Sequence, residues 1–243
     1  MNAGNPLGPF EIRPGALMPH PDSRPLRILV GADVPPDPNA GASGTVFYMN
    51  QALQRLGHHV DEIWQAELGR RITHGNLHYL LELPRAYRRA MRRRLQKESY
   101  DIVELNQPHA YLAAADFRRR VGNGVFVNRS HGHEVRSEES LERWRRVLGV
   151  PPQRGLRGLA SRCMRSLLNR HWTQVARFSD GFHVSCTEDA EFLADRYGIP
   201  TERIGAVTQG IPEMFVNTPP QPMTDERRRR LLYAGQFAFF KAQ

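Results

Sequence analysis

The chain has 243 residues, 40% of them hydrophobic and 24% charged, a balance that builds a packed globular core and argues against general disorder. A formal charge of +9, carried mostly by arginine, suits anionic partners: a phosphorylated substrate, an anionic lipid surface or nucleic acid. No stretch reaches the roughly 18 apolar residues of a membrane-spanning helix, and Cys163 and Cys186 form no C-x-x-C pair, so neither a zinc site nor a disulfide is called for and a reducing, cytoplasmic setting fits.

Residues 1–25 carry Pro6, Pro9, Pro14, Pro19, Pro21 and Pro25, with no apolar run leading to a cleavage site, and are expected to be a flexible lead-in. Leu26–Gly31 is a short apolar run ending in glycine and predicts a buried parallel strand. A loop rich in Pro, Asp, Asn and Gly follows to Ser43, and Gly44–Leu56 predicts a helix with Val46, Met49, Leu53 and Leu56 on one face. His59–Trp64 is the next strand. Leu77–Lys97 predicts a long helix, with a stripe at Leu80, Leu83, Tyr87, Met91 and Leu95 and a break at Pro84.

Tyr100–Leu105 and Gly124–Asn128 predict strands on either side of a helix at Ala110–Arg120. Helices are expected at 138–148 and 156–178, a strand at Gly181–Ser185, a helix at Thr187–Tyr197 and a strand at Ile204–Thr208. Both cysteines, flanked by apolar residues, are expected in or near the core. Pro219, Pro220 and Pro222 mark a linker over 216–230, after which Leu231–Gly235 begins another strand. The alternation predicts an α/β fold: a doubly wound, Rossmann-like parallel sheet with helices on both faces, spanning 26–215. Ligands of such folds bind beyond the carboxyl ends of the strands.

Three segments at those ends carry chemistry. Gly41, Ser43 and Gly44 lie where a loop enters a helix, and glycines there admit a ligand close to free amides, although the pattern is neither G-x-G-x-x-G nor a P-loop. Asn106, Gln107 and His109 follow the third strand. Arg129, Ser130, His131, Gly132, His133 and Glu134 follow the fourth, where His131 is placed to donate to a sugar hydroxyl or phosphate and Glu134 to accept from a hydroxyl. His131-x-His133 has the form of half a metal site, but no further ligands have matching spacing and no metal is expected.

The collinear order of these segments resembles the family-4 retaining glycosyltransferases of the GT-B fold. Gln51 to Val60, with the run Leu56-Gly57-His58, is similar to their helix-and-turn after the glycine loop. Tyr100-Asp101-Ile102-Val103, Arg129-Ser130-His131-Gly132 with Glu134, and Ser179-Asp180-Gly181-Phe182-His183-Val184-Ser185 resemble three further motifs. Ile204 to Ile211 with Phe215 resembles a fourth, with Gln209 in place of the usual Asn. Leu231 to Gly235 with Lys241 resembles the start of the second domain, with Gln236 and Ala242 as departures.

The resemblance implies the acceptor-side half of a two-domain transferase, ending where the donor-binding domain begins. It implies a nucleoside-diphosphate-sugar donor, a saccharide, lipid or small-molecule acceptor, retention at the transferred sugar, and no metal or other cofactor. His131 would touch the transferred sugar as the catalytic residue. Gly41 and Gly44 would flank the donor diphosphate or the acceptor, and Lys241 would bind the diphosphate. Asn106, Gln107, His109, Arg129 and Glu134 would complete the substrate wall. No turnover is expected from these 243 residues alone without the missing C-terminal domain. Two arginine-rich stretches, Arg85–Lys97 and Arg154–Arg170, are candidate surfaces for peripheral attachment to an anionic membrane. The rival readings are a non-catalytic binding domain of glycosyltransferase descent and a nucleic-acid-binding protein. The aromatic residues form no stacking motif and no basic recognition helix stands alone, so nucleic acid is not the expected partner.

Overall fold

A computed structural model describes residues 24–121, 123–151, 155–208 and 219. Six parallel strands, β1 (Arg27–Gly31), β2 (His59–Ile63), β3 (Ile102–Asn106), β4 (Val125–Arg129), β5 (Gly181–Val184) and β6 (Ile204–Ala206), form one sheet in the order β2-β1-β3-β4-β5-β6. The chain starts in the interior of the sheet, steps outward to β2, then crosses back past β1 to β3. The switch point therefore lies between β1 and β3, where a doubly wound fold opens a crevice.

The helices are α1 (Gly41–Arg55), α2 (Gln65–Leu68), α3 (Gly75–Leu77), α4 (Leu83–Leu95), α5 (Tyr111–Arg120), α6 (Glu134–Val147), α7 (Gly155–Phe178) and α8 (Thr187–Tyr197). They divide unequally. α4, α5, α7 and α8 pack on one face, over Leu29, Val103, Leu105, Phe126, Phe182 and Val184. The other face receives α1, whose Val46 meets Ile28, Val30 and Ala32. The alternation of each strand decides which side chain goes where. In β3, Val103 and Leu105 enter the larger core, while Glu104 and Asn106 go to the α1 face.

The larger core closes on aromatic and small residues together. Tyr87, Phe117, Phe126 and Trp172 are fully buried, and Ala86, Ala90, Ala113 and Ala114 let the helices approach. Truncating Phe126 to Ala would cost about 3–5 kcal/mol. α4 shows why an arginine-rich helix folds here. Leu83, Ala86, Tyr87, Ala90 and Met91 form its buried stripe. Its arginines are largely engaged: Arg92 grips buried Asp116 through two hydrogen bonds of 2.5 Å, and Arg94 reaches Glu67 at 2.7 Å.

The structure departs from the sequence expectations at four places. α1 starts at Gly41, three residues before the expected start at Gly44, so Gly41 and Ser43 are helical rather than loop residues. The Ser43 hydroxyl bonds the Asp37 carbonyl at 2.8 Å and ties the preceding turn onto the helix. The helical stretch expected from Leu77 to Lys97 is interrupted near Pro84 as anticipated, but its first part is α3 followed by a π-helical stretch His78–Glu82, and α4 carries Pro84 in its first turn. Proline lacks the amide that would continue the preceding helix, and the wider π turn absorbs the mismatch. α6 begins at Glu134, four residues before the expected start, because the His133 ring accepts from the Arg136 amide as its cap. Cys163 is exposed, since the first half of α7 runs past the sheet, and Cys186, the residue before α8, is half-buried. The linker after 215, the strand at 231–235 and Lys241 lie outside the described residues.

Candidate functional site

The carboxyl ends of β3, β4 and β5 stand level, with Asn106 opposite Arg129 and Arg129 opposite His183. All three point to the α1 face. One step back on the same face is Glu104, whose carboxylate reaches forward to both neighbours: its Oε1 lies 3.3 Å from Arg129 Nη1, and its Oε2 lies 3.3 Å from His183 Nδ1. Arg129 also points at the Met49 sulfur on α1. Burial pushes the Glu104 carboxyl up, but His183, Arg129 and His131 outweigh it and hold it below the ordinary value. It is therefore a buried anion beside a buried cation.

His131 sits above this pair, in the turn that Gly132 completes with a φ of 137°. Asn106 Nδ2 donates to His131 Nε2 at 2.8 Å, which assigns the ring proton to Nδ1. Burial, and then Arg129, lower its pKa to about 4. The result is a neutral imidazole of fixed orientation at the sheet rim, able to donate to an oxygen. Arg129, expected among the substrate contacts, is 2% exposed and stands behind the rim, where its charge adds to burial in disfavouring protonation of His131.

The start of α1 adds a second element. Its N-cap, Ala40, offers no side-chain hydrogen bond, and the first turn carries no acidic residue. The leading amides are thus open to an anion. A side chain at Gly41 would meet nothing within 4 Å, whereas one at Gly44 would meet the Pro38 carbonyl oxygen at 2.7 Å. Gly41 leaves room for a ligand, and Gly44 lets the loop close.

The remaining expected residues are placed apart. Gln107 adopts a left-handed φ of 63°, and its backbone amide donates to the Arg129 carbonyl at 2.8 Å. His109 is buried in a ring ladder, stacked on Tyr79 at 5.7 Å and edge-on to His171 at 6.0 Å, and burial lowers its pKa to about 3. Glu134 turns away from His131 into the core, where its carboxylate accepts from Trp172 Nε1 at 2.9 Å and burial raises its pKa to about 7. His133 stacks on Trp172 at 4.0 Å, so the two imidazoles of His131-x-His133 have different partners. Among the described residues no three His, Cys, Asp or Glu side chains converge as metal ligands.

Sequence reasoning missed Glu104, His183, Asp33 and His78. Asp33 follows β1 at the switch point, with both carboxylate oxygens buried and without hydrogen-bond partners, and with Oδ2 3.6 Å from His78 Nε2. The Nδ1 of His78 is held by Glu82 at 2.9 Å. The signal for Glu104 and His183 was available, because each is a polar residue between two apolar ones in a strand. Nothing in the sequence brings His78, on a π turn, to Asp33.

Comparison with known proteins agrees with this architecture. The structure is similar to the catalytic domain of starch synthase IV from Arabidopsis thaliana bound to ADP and acarbose, with a TM-score of 0.51 and 13% sequence identity. The match covers 77% of this chain and 52% of the starch synthase chain, so the chain spans about half of that protein's length. No curated protein matches the sequence. The family model for Glycosyltransferase Family 4 matches residues 40–213, which include α1, the strands β2 to β6 and the Glu104, Asn106, Arg129, His131 and His183 cluster. The chain belongs to glycosyltransferase family 4.

Proposed function

We propose that this domain is the acceptor-side wall of a site that transfers a sugar, with retention, from a nucleoside-diphosphate sugar to a hydroxyl acceptor. The observation that carries the reading is the neutral, Asn106-held imidazole of His131, at the same carboxyl edge of the parallel sheet as the uncapped start of α1. Such a ring donates through Nδ1 to a sugar hydroxyl without adding charge where positive charge develops on the sugar. The open amides of α1 favour the departing diphosphate, and electrostatic stabilisation of this kind is a large contribution to catalysis. Glu104, Arg129 and His183 are positioning residues: they fix the charge and orientation beneath His131 and touch no substrate. ADP, present in the starch synthase that shares the fold, is a nucleoside diphosphate of the kind this wall suits.

The test is transfer of labelled sugar from a panel of nucleotide sugars by the complete gene product, with the anomeric configuration of the product determined by NMR. Nucleotide-sugar-dependent transfer that is lost in His131→Ala supports the reading. Full activity in His131→Ala, or inversion at the anomeric carbon, overturns it.

A further inference from the structure

α6 and α7 form a helical hairpin that is rooted on the sheet and leaves it. At the root, Val135 of α6 and His171, Trp172 and Val175 of α7 are buried. From Arg143 to Pro151 every residue is exposed, and α7 opens with three more. The acidic residues of α6 are used near the root. Glu138 holds Arg165 at 3.1 Å, Glu142 holds the same arginine, and Glu139 pairs with Arg196 at 3.5 Å. Beyond Glu142 the composition changes: positions 143–162 contain six arginines and no Asp or Glu.

The same tip displays large apolar side chains. Trp144, Val147 and Leu148 lie at i, i+3 and i+4 on α6 and so share one side of the helix. Val150 is drawn back over the end of α6 by its amide, which donates to the Arg145 carbonyl at 2.8 Å. Leu156 and Leu159 stand one turn apart on α7. Leu156 is 85% exposed, Val147 69% and Leu148 59%. A single exposed leucine needs no explanation, but six large apolar residues at one tip mark an interaction surface.

The chemistry of the tip selects its occupant. Tryptophan and aliphatic side chains interleaved with arginine, with no carboxylate among them, fit the headgroup and upper acyl region of a bilayer. The arginines would meet lipid phosphates while the leucines enter the hydrocarbon edge. A second copy of the chain would set one all-basic tip against another, at a cost in like-charge repulsion. No helix among the described residues is long and apolar enough to cross a membrane, so the contact is with the surface. α4, the other arginine-rich stretch, has its apolar stripe buried on the sheet. We infer that the α6–α7 tip docks this domain on an anionic lipid surface, with Trp144, Leu148, Leu156 and Leu159 as the inserted residues. The inference is independent of the transferase reading.

The experiment is flotation of the purified chain with phosphatidylcholine vesicles, with and without phosphatidylglycerol, read together with tryptophan emission. Wild type is expected to float with the phosphatidylglycerol vesicles and to shift its emission to the blue. Leu148→Ser, Leu156→Ser and Leu159→Ser together should lower partitioning by about tenfold or more, in line with lost apolar insertion, with the circular dichroism spectrum unchanged. Arg143→Ser, Arg145→Ser and Arg157→Ser should remove the preference for the anionic vesicles. Failure of wild type to float, or equal flotation of the apolar variant, overturns the inference. So does concentration-dependent self-association that the apolar variant abolishes without any vesicle binding, which would assign the tip to a second copy.

Discussion

Asn106 and His131 belong to neighbouring parallel strands and their turns, and the 2.8 Å hydrogen bond between them is the point at which the rim acquires a fixed imidazole. Without Asn106 the ring would keep its depressed pKa but lose its orientation. His131→Ala is expected to lower the transfer rate about 10²-fold or more, and Asn106→Ala by a smaller factor. The double variant should be no worse than His131→Ala, because both act through one ring. Steady-state transfer kinetics on the complete gene product check this, and an additive double variant would separate the two residues.

The glycines at the start of α1 should respond in opposite ways. Gly44→Ala places a methyl group 2.7 Å from the Pro38 carbonyl oxygen, and backbone must move. A loss of about 1–3 kcal/mol is expected. Gly41→Ala meets nothing within 4 Å at a helical position, and should be neutral or stabilise by about 0.5–1 kcal/mol. If Gly41 admits a ligand, Gly41→Ala weakens substrate binding while the Tm holds. Thermal melts and binding isotherms of the two variants check both points.

How much of this was legible beforehand differs between the two clusters. The strands and the polar residues at their ends could be read because buried parallel strands are short, mainly apolar runs, and Asn106 and His131 fall where those runs stop. Glu104 is visible as a polar residue between Val103 and Leu105, but its partners are not. Its meaning depends on strand parity and on Arg129 and His183 lying opposite, which only the register supplies. Glu134 was misplaced for a local reason: as the first residue of α6 it rotates inward to Trp172, which lies 38 residues away in the sequence. The Asp33–His78 contact was illegible because the π stretch shifts the helical phase at Pro84.

The pair Glu104–Arg129 should be costly to break from one side. Glu104→Gln leaves the Arg129 guanidinium, 2% exposed, as a buried cation without its counter-charge. A loss of about 3–5 kcal/mol is expected. Glu104→Gln combined with Arg129→Met should recover a large part of it, since both charges are then gone. Urea denaturation of the two singles and the double closes the cycle, and simple additivity would mean that the pair is not coupled.

The pH dependence of stability has two opposing contributions. His109 and His133, lowered to about 3, and His131 and His171, lowered to about 4, all fall from an ordinary 6.5. They contribute stability that is fully present above pH 6.5 and is lost on acidification through their folded values. Glu134, raised from 4.5 to about 7, does the reverse: its contribution is complete below pH 4.5 and is lost as pH rises through 7. Fixing that position as neutral should therefore help only at the higher pH. Glu134→Gln is expected to match wild type near pH 4.5 and to exceed it by up to about 3 kcal/mol above pH 7. Urea midpoints across this range check it, and a gain that does not depend on pH would show that Glu134 is not the titrating group.

One consequence follows from the alternation in β3. Val103 and Leu105 fill the larger core, and Glu104 and Asn106, between and beyond them, serve the rim. A shift of one residue in this strand would exchange the two sets, sending a carboxylate and an amide into the oil and two aliphatic side chains out beside His131. Chemistry and foldedness are thus written in the same five letters, Ile102-Val103-Glu104-Leu105-Asn106. A one-residue insertion in this strand would disrupt core and rim together, and a folded chain carries its rim already in register.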